Sequence, residues 1–499
     1  MKKKKTVIYA AFIAICVYFF VQVSYFNEAY SPLQVLSDAR SEAKRLLRFI
    51  TLQHFQCNST IQISNNTYWP ICIEKEGGIN IDSRGKKIAY SVGPKGDLEF
   101  ERIIAKNLSF NLYLFGTGLT TSDFSVNSNN TRNMHISVVP NDPADFVRNS
   151  YDTQTVNNVM LSLGHTYIDI LKMDHFMDSS HSHDVLYFMI KDDLLSRVGQ
   201  LHIALHIDKV DDDYLYSWYR ALYNLFHDAG FRLYHTAAND QLCLQVTLME
   251  SCVYYMSWVR DPGPRASILY PPAQDGSEES EVERLVDYLE DEEATCSDSL
   301  DIGLSNSLPL GICLNEGYLH KPCNIIIVRN KHTSVTVSSL SKGQCHAVVL
   351  ETQSSSYNYN IHEFFVNVKG SLLPVMKHHT TLIDALDQHL HTGSSNILYL
   401  DMPELFWDMI GPLLDSGHMQ SVNQLIVDVD VWNELSVKPS HNIRRRFSEL
   451  KRIGAYGFQI YRSKTLLDTH TLHFQSNLKT NRKCCHRINF VRTKHVSIT

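Results

Sequence analysis

Residues 155–174 read TVNNVMLSLGHTYIDILKMD, and residues 380–401 read TTLIDALDQHLHTGSSNILYLD. Each is a helical pattern, a turn and a short apolar run that ends in an acid, Asp174 or Asp401. An apolar run of strand length behind a helix is the pattern of a parallel strand buried on both faces. The correspondence continues downstream. Gln200 to Ile207 (QLHIALHI) is matched by Gln424 to Val431 (QLIVDVDV). A helix then precedes Gly230-Phe-Arg-Leu-Tyr in one stretch and Gly457-Phe-Gln-Ile-Tyr in the other. Both stretches close on an apolar strand with the same dipeptide, Val259-Arg260 and Val491-Arg492. Cysteines recur as well, Cys72 with Cys313 and Cys252 with Cys484. This shared order predicts a tandem duplication of one domain of about 200 residues.

Within the first copy, Lys87 to Val92, Phe110 to Phe115, Ile168 to Met173 and Leu201 to Ile207 alternate with helical patterns. Such alternation predicts an α/β fold: a doubly wound, Rossmann-like sheet with a ligand crevice at the C-terminal ends of its strands.

The N-terminus carries a different signal. Lys2 to Lys5 precede an uncharged apolar run from Val7 to Phe26. About 20 residues at 1.5 Å each suffice to cross a hydrocarbon core. The run is longer than the apolar region of a cleaved signal peptide and lacks a small-residue cleavage site, so it predicts a transmembrane signal anchor. Basic residues before it hold the N-terminus in the cytosol, a type II topology with the C-terminal body lumenal or extracellular. The acceptor tripeptides at Asn58, Asn65, Asn107 and Asn129 all lie beyond the span and predict a glycoprotein. Ten cysteines also lie beyond the span: Cys57, Cys72, Cys243, Cys252, Cys296, Cys313, Cys323, Cys345, Cys484 and Cys485. None has the C-x-x-C spacing of a zinc site, and in an oxidising compartment disulfides are the default, with connectivity open.

The net charge of −7 is uneven, for Asp275 to Asp301 holds twelve acids against the single Arg284. No concentrated basic patch marks a nucleic-acid partner. Breakers at Pro262, Pro264, Pro271 and Pro272 precede the acidic stretch, which is read as an interdomain linker, with an exposed acidic helix as the other reading. The expected organisation is a cytoplasmic tail at 1–6, the anchor at 7–26 and a stem at 27–68 with a short basic helix around Arg40 to Arg48. A first domain at 69–262, the linker at 263–304 and a second domain at 305–499 complete it.

The first copy contains Ile88-Ala-Tyr-Ser-Val-Gly-Pro-Lys-Gly-Asp-Leu-Glu-Phe-Glu101, then Ile168-Asp-Ile-Leu-Lys-Met-Asp174 and Gln200-Leu-His-Ile-Ala-Leu-His206. These resemble the membrane-anchored methyltransferase-like family related to the FkbM group of S-adenosylmethionine-dependent methyltransferases. Over roughly 69–262, and more faintly 305–495, the resemblance implies two class I methyltransferase-like domains. It implies S-adenosylmethionine at Gly93, Gly96, Asp97 and Glu101. The pattern departs from the family elsewhere. The second strand ends Tyr113-Leu-Phe-Gly116 without the expected acid, and His175-Phe-Met-Asp-Ser-Ser stands where the family has Ile-Glu-Gly-x-Glu. Ala204 replaces a Glu in the Gln-Leu strand. The second copy has no glycine after its first strand (Arg329-Asn-Lys-His332), yet it keeps Glu351 and has Asp428 opposite Ala204.

Asp428-Val-Asp430 also resembles the DxD motif of lumenal glycosyltransferases, where paired carboxylates hold a divalent cation; a plain strand end is the other reading. Asp211 to Asp213 is read as a solvated helix start. His175, His181, His183, His378 and His379 are read as surface or loop histidines, and Arg444 to Arg446 as a solvated helix face. No G-x-S-x-G or Walker loop is present.

The expectation is therefore a type II membrane glycoprotein with two methyltransferase-like domains, catalytically eroded and acting as an interaction module, with no catalytic or metal-binding residue assigned. The alternatives are an active methyltransferase working on a glycan or lipid through its first domain, and a glycosyltransferase using Asp428 and Asp430. S-adenosylmethionine is a cytosolic cofactor that would need import into a lumen. The Golgi, the wider secretory pathway and the cell surface are the expected locations.

Overall fold

A computed structural model describes residues 32–493, apart from 37, 63–67, 74–86, 95–97, 117–129, 140–151, 175–181, 208–210, 240–243, 246–249, 261–267, 275, 303–309, 331–344, 354–359, 367–371, 380–381, 391–394, 404, 432–438, 467–470, 474–478 and 484. The predicted anchor at 7–26 lies outside the described residues. Among the described residues no helix is long and apolar enough to cross a membrane.

The first unit is built on a seven-stranded sheet. Its strands are β1 (Ile88–Val92), β2 (Asn111–Phe115), β3 (Thr131–Met134), β4 (Ile168–Met173), β5 (Val198–His206), β6 (Phe231–Ala238) and β7 (Val253–Arg260). Their order is β3-β2-β1-β4-β5-β7-β6. Neighbours are parallel except around β7, which runs antiparallel to both β5 and β6. This is the 3-2-1-4-5-6 order of a doubly wound sheet with one reversed strand inserted before the last.

The second unit repeats it. Strands β8 (Cys323–Asn330), β9 (His346–Gln353), β10 (Asn360–Val366), β11 (Leu372–His379), β12 (Ser395–Asp401), β13 (Gln424–Asp430), β14 (Phe458–Thr465) and β15 (Cys485–Arg492) lie in the order β11-β10-β9-β8-β12-β13-β15-β14. Strand β15 is again reversed against both neighbours. An antiparallel pair, β10 and β11, stands where the first unit has the single parallel β3. Even the irregularities coincide. Phe231 faces Arg260 and Phe458 faces Arg492, and each pairing shifts register two residues on, at Leu233/His235 and Ile460/Arg462.

The helices are α1 (Ala39–Thr51), α2 (Glu99–Lys106), α3 (Val156–Leu163), α4 (Ser182–Lys191), α5 (Asp212–His227), α6 (Glu278–Glu290), α7 (Leu382–His389), α8 (Phe406–Asp415) and α9 (Pro439–Ala455). Local sequence sets their ends. The Thr155 side chain accepts from Asn158 N–H at the start of α3, and Gly164 closes that helix at φ +69°, a conformation that favours glycine. Asp211 caps α5 by accepting from the N–H groups of Asp213 and Tyr214, as its reading as a helix start requires.

Two stretches form the helices their spacing allows but pack more deeply than their charged composition suggests. The segment expected as a stem contains α1, whose Leu46, Phe49 and Ile50 are fully buried in the first core. The acidic stretch expected as a linker contains α6, whose Val282, Leu285, Val286 and Leu289 are fully buried in the second. The physical reason is that four apolar residues on one helix face contribute roughly 1.5–3 kcal/mol each on burial. The acids meanwhile crowd the first turn, where the helix dipole favours them (Glu278, Glu279 and Glu281).

The two helices are equivalent in detail. Buried Glu42 and Arg45 pair three residues apart on α1, and Glu281 and Arg284 do the same on α6. Each Glu accepts a backbone N–H from the preceding segment, Leu36 to Glu42 and Ala273 to Glu281. Each Arg donates to a carbonyl there, Gln34 or Pro271, and stacks on an aromatic of the long helix, Tyr219 at 4.0 Å or Phe447 at 4.2 Å.

The opposite face of each sheet carries a disulfide-tied hairpin. Strands Ser59–Ile61 and Ile71–Ile73 pair in the first unit, and Ser299–Ile302 and Leu310–Cys313 in the second. Cys57–Cys72 and Cys296–Cys313 fasten them, and Cys323–Cys345 adds a third bridge. Gln200 and Gln424, at matching positions near the starts of β5 and β13, clasp these hairpins. The Gln200 amide accepts from Cys72 N–H at 3.1 Å and donates to Cys72 C=O. The Gln424 amide accepts from Cys313 N–H at 3.0 Å and donates to Cys313 C=O at 2.6 Å.

Candidate functional site

In a doubly wound sheet, ligands bind beyond the C-terminal ends of the strands where the order reverses. In the first unit that point lies between β1 and β4. Gly93 follows β1 at φ +61°, and its N–H donates to Phe115 C=O at 2.8 Å, so the expected glycine turn is present. Gly96 and Asp97 lie outside the described residues.

Glu101 follows that turn on α2, and one of its two carboxylate oxygens is engaged while the buried Oε2 has no hydrogen-bond partner among the described residues. On α2 it is 1% exposed; its Oε1 accepts from Ser91 Oγ at 2.7 Å and from Lys172 Nζ at 2.8 Å. Lys172 also donates to Asp174 at 3.2 Å and lies over the rings of Trp69 and Phe100. Burial opposes the charge on Lys172, but Glu101 and Asp174 outweigh it and hold the ammonium above its ordinary pKa. Next in the row, His202 donates to or accepts from Ser257 Oγ at 3.0 Å, and burial, Lys172 and His235 push it down to about 3. It is neutral at physiological pH. At the end of β2, where an acid would hold ribose hydroxyls, Phe115 is buried at 1% exposure.

The second unit carries a different set in the same place. Arg329 at the end of β8 stands in register with Glu351 on β9 and Asp401 on β12. It pairs with Glu351, its Nε at 3.0 Å, so the acid retained at the end of the second strand is occupied by the residue that replaces the glycine turn. Asp428 is 3% exposed and held bidentately by Arg487, Nε to Oδ1 and Nη2 to Oδ2, both at 2.7 Å. Tyr399 O–H donates to the same carboxylate at 3.1 Å. Burial and the Asp428 charge raise Asp401 to about 6.

Asp428 is therefore an ion-pair partner inside the sheet, which leaves the DxD reading without its first ligand. Among the described residues no group of three or more His, Cys, Asp or Glu could hold a metal ion. Asp430 packs beside Trp407, whose indole N–H donates to the Asp430 carbonyl. The run Arg444 to Arg446 is not one solvated face, for Arg444 is 2% exposed. The described sequon residues Asn58 and Asn107 are exposed; Asn65 and Asn129 lie outside the described residues. His175 and His181 also lie outside them.

Among the described residues, Phe115 stands at the end of β2, where an acid would hold ribose hydroxyls, and Glu351 on β9 is paired with Arg329. The pairs Glu101–Lys172 and Asp428–Arg487 fill the floors with neutralised charge. Sequence reasoning missed the partners Arg329 and Arg487, since nothing local marks a contact made from 22 or 59 residues away.

The strand order places the fold among Rossmann-like, methyltransferase-like α/β folds. No family model and no curated protein matches the chain. Among solved structures it is similar to the plantazolicin methyltransferase BpumL, in complex with a monoazolic desmethylPZN analog and SAH. That likeness is 10% identical over 35% of this chain and 76% of that one, at a TM-score of 0.20. It is also similar to a Haemonchus contortus phosphoethanolamine N-methyltransferase 2 in complex with phosphomonomethylethanolamine and S-adenosylhomocysteine. There the identity is 8% over 83% of this chain and 96% of that one, at a TM-score of 0.21. At such scores these likenesses carry no argument beside the strand order itself.

Proposed function

We propose that the chain is a single-pass type II membrane glycoprotein whose lumenal or cell-surface body is a duplicated pair of methyltransferase-like domains retained for binding rather than methyl transfer. The observation that supports this most directly is the state of the crevice carboxylates. Glu101 is closed in by Ser91 and Lys172, Glu351 is taken by Arg329, and Asp428 is gripped by Arg487. A cofactor crevice keeps acids open to ribose hydroxyls; these acids serve the protein interior instead. The disulfides and the exposed Asn58 and Asn107 accord with an oxidising compartment.

A second reading, an active methyltransferase acting on a glycan or lipid, draws on the intact Gly93 turn in the first unit. Calorimetry with S-adenosylmethionine on the full chain separates the two. The binding-module reading expects no heat above dilution; saturable binding lost in Gly93→Val would favour the enzyme. Protease digestion of sealed microsomes tests the topology, and cleavage of the C-terminal half from the cytosolic side would overturn it.

A further inference from the structure

The junction between the two units holds a set of buried hydrogen-bond donors without acceptors. Tyr270 is its hinge. Its ring packs edge-on against Phe226 of α5 at 5.1 Å and Phe447 of α9 at 5.5 Å, and its N–H donates to Ser448 Oγ at 2.8 Å. Arg444 of α9 donates through Nε to the Tyr270 carbonyl. Its other two nitrogens, Nη1 and Nη2, are buried and have no protein partner. Around it, Glu281 is the carboxylate that acts on Arg444, and that group is already bound by Arg284 and by Ala273 N–H.

His54 faces the same junction from the first unit, and Arg444 is the charge that acts on it most. It is 1% exposed, its Nδ1 faces Leu233 N–H at 3.4 Å, and the Phe49 carbonyl is a backbone hydrogen-bond partner of its ring. Trp258, whose ring centre lies 5.5 Å from that of His54, has a buried indole N–H without an acceptor.

The duplication supplies an internal control. Where Arg444 donates to Tyr270 C=O, Tyr216 of α5 donates through its hydroxyl to Leu33 C=O. Leu33 precedes Gln34, which accepts from Arg45, just as Tyr270 precedes Pro271, which accepts from Arg284. The fold is thus served at this position by a neutral side chain with one donor. The second unit has a cation with two donors left over. Buried donors are costly without an acceptor.

We propose that the junction is a binding site for a small monovalent anion of halide size, with Arg444 as its principal ligand. Complete burial of both terminal nitrogens favours a compact ion over a phosphate or sulfate. This inference does not rest on the binding-module reading of the crevices, and its test does not involve them.

The test uses the full chain in detergent. Crystals grown in bromide should show an anomalous peak at hydrogen-bonding distance from Arg444 Nη1 and Nη2; an ordered water or no density there would overturn the proposal. Replacing gluconate by chloride at fixed ionic strength should raise the thermal midpoint saturably. Arg444→Tyr, which copies Tyr216, should fold and lose that chloride response. An equal response in Arg444→Tyr and the parent would overturn the proposal, as would a flat response in the parent. If Arg444→Tyr fails to fold, the bromide map decides alone.

Discussion

The Lys172 ammonium lies 2.8 Å from the Glu101 carboxylate, with both side chains almost wholly buried in the first unit. A charge pair so placed is tolerated only because each member neutralises the other. It accounts for a lysine and an acid that, in sequence, look like parts of a ligand site.

Lys172→Met leaves Glu101 buried without its cation and should cost roughly 3–5 kcal/mol in unfolding free energy. Lys172→Met with Glu101→Gln should recover a large part of that loss. Urea denaturation of the single and double variants measures the coupling; additive losses would show that the pair does not act as a unit.

The glutamine clasps predict a matched pair of effects. Gln200→Leu strands the N–H and C=O of Cys72, and Gln424→Leu those of Cys313. Each stranded group should cost roughly 1–3 kcal/mol. Hydrogen exchange should quicken at the hairpin of the altered unit and not at the other.

Acid should destabilise the first unit in a definite window. His54 and His202 are buried, and burial holds both below the usual 6.5, His202 at about 3. The unfolded chain therefore takes up protons that the folded chain refuses, and stability falls as pH drops from about 6.5 towards 3. His202→Gln should flatten part of that slope in thermal melts at stepped pH.

Asp401 has the opposite sign. Burial and Asp428 raise it from 3.8 to about 6, so its contribution to stability is lost as pH rises through that interval. Asp401→Asn should raise the melting midpoint at pH 7 and leave it nearly unchanged at pH 4.

The legible part of the fold was the part that buries apolar runs. QLHIALHI and QLIVDVDV became matching strands, and Val259-Arg260 and Val491-Arg492 fell in the same register. Helices α1 and α6 were legible as a basic helix around Arg40 to Arg48 and an acidic one over Glu281 to Leu289, but the charge in their composition obscured that each packs into a core. Their signal was the repeated Glu-x-x-Arg followed by apolar residues, Glu42 to Leu46 and Glu281 to Leu285. The site was less legible for a different reason. Asp428-Val-Asp430 displays two acids, while the arginine that neutralises the first arrives from a strand 59 residues on. Local pattern reports which charges exist; only the folded sheet determines which remain open.

The most direct measurement is equilibrium binding of S-adenosylmethionine to the full chain by titration calorimetry, with Gly93→Val and Arg487→Leu variants alongside. Crevices floored by Glu101–Lys172 and Asp428–Arg487 predict no saturable heat from any of the three proteins. Stoichiometric binding by the parent chain, abolished in Gly93→Val, would contradict the account.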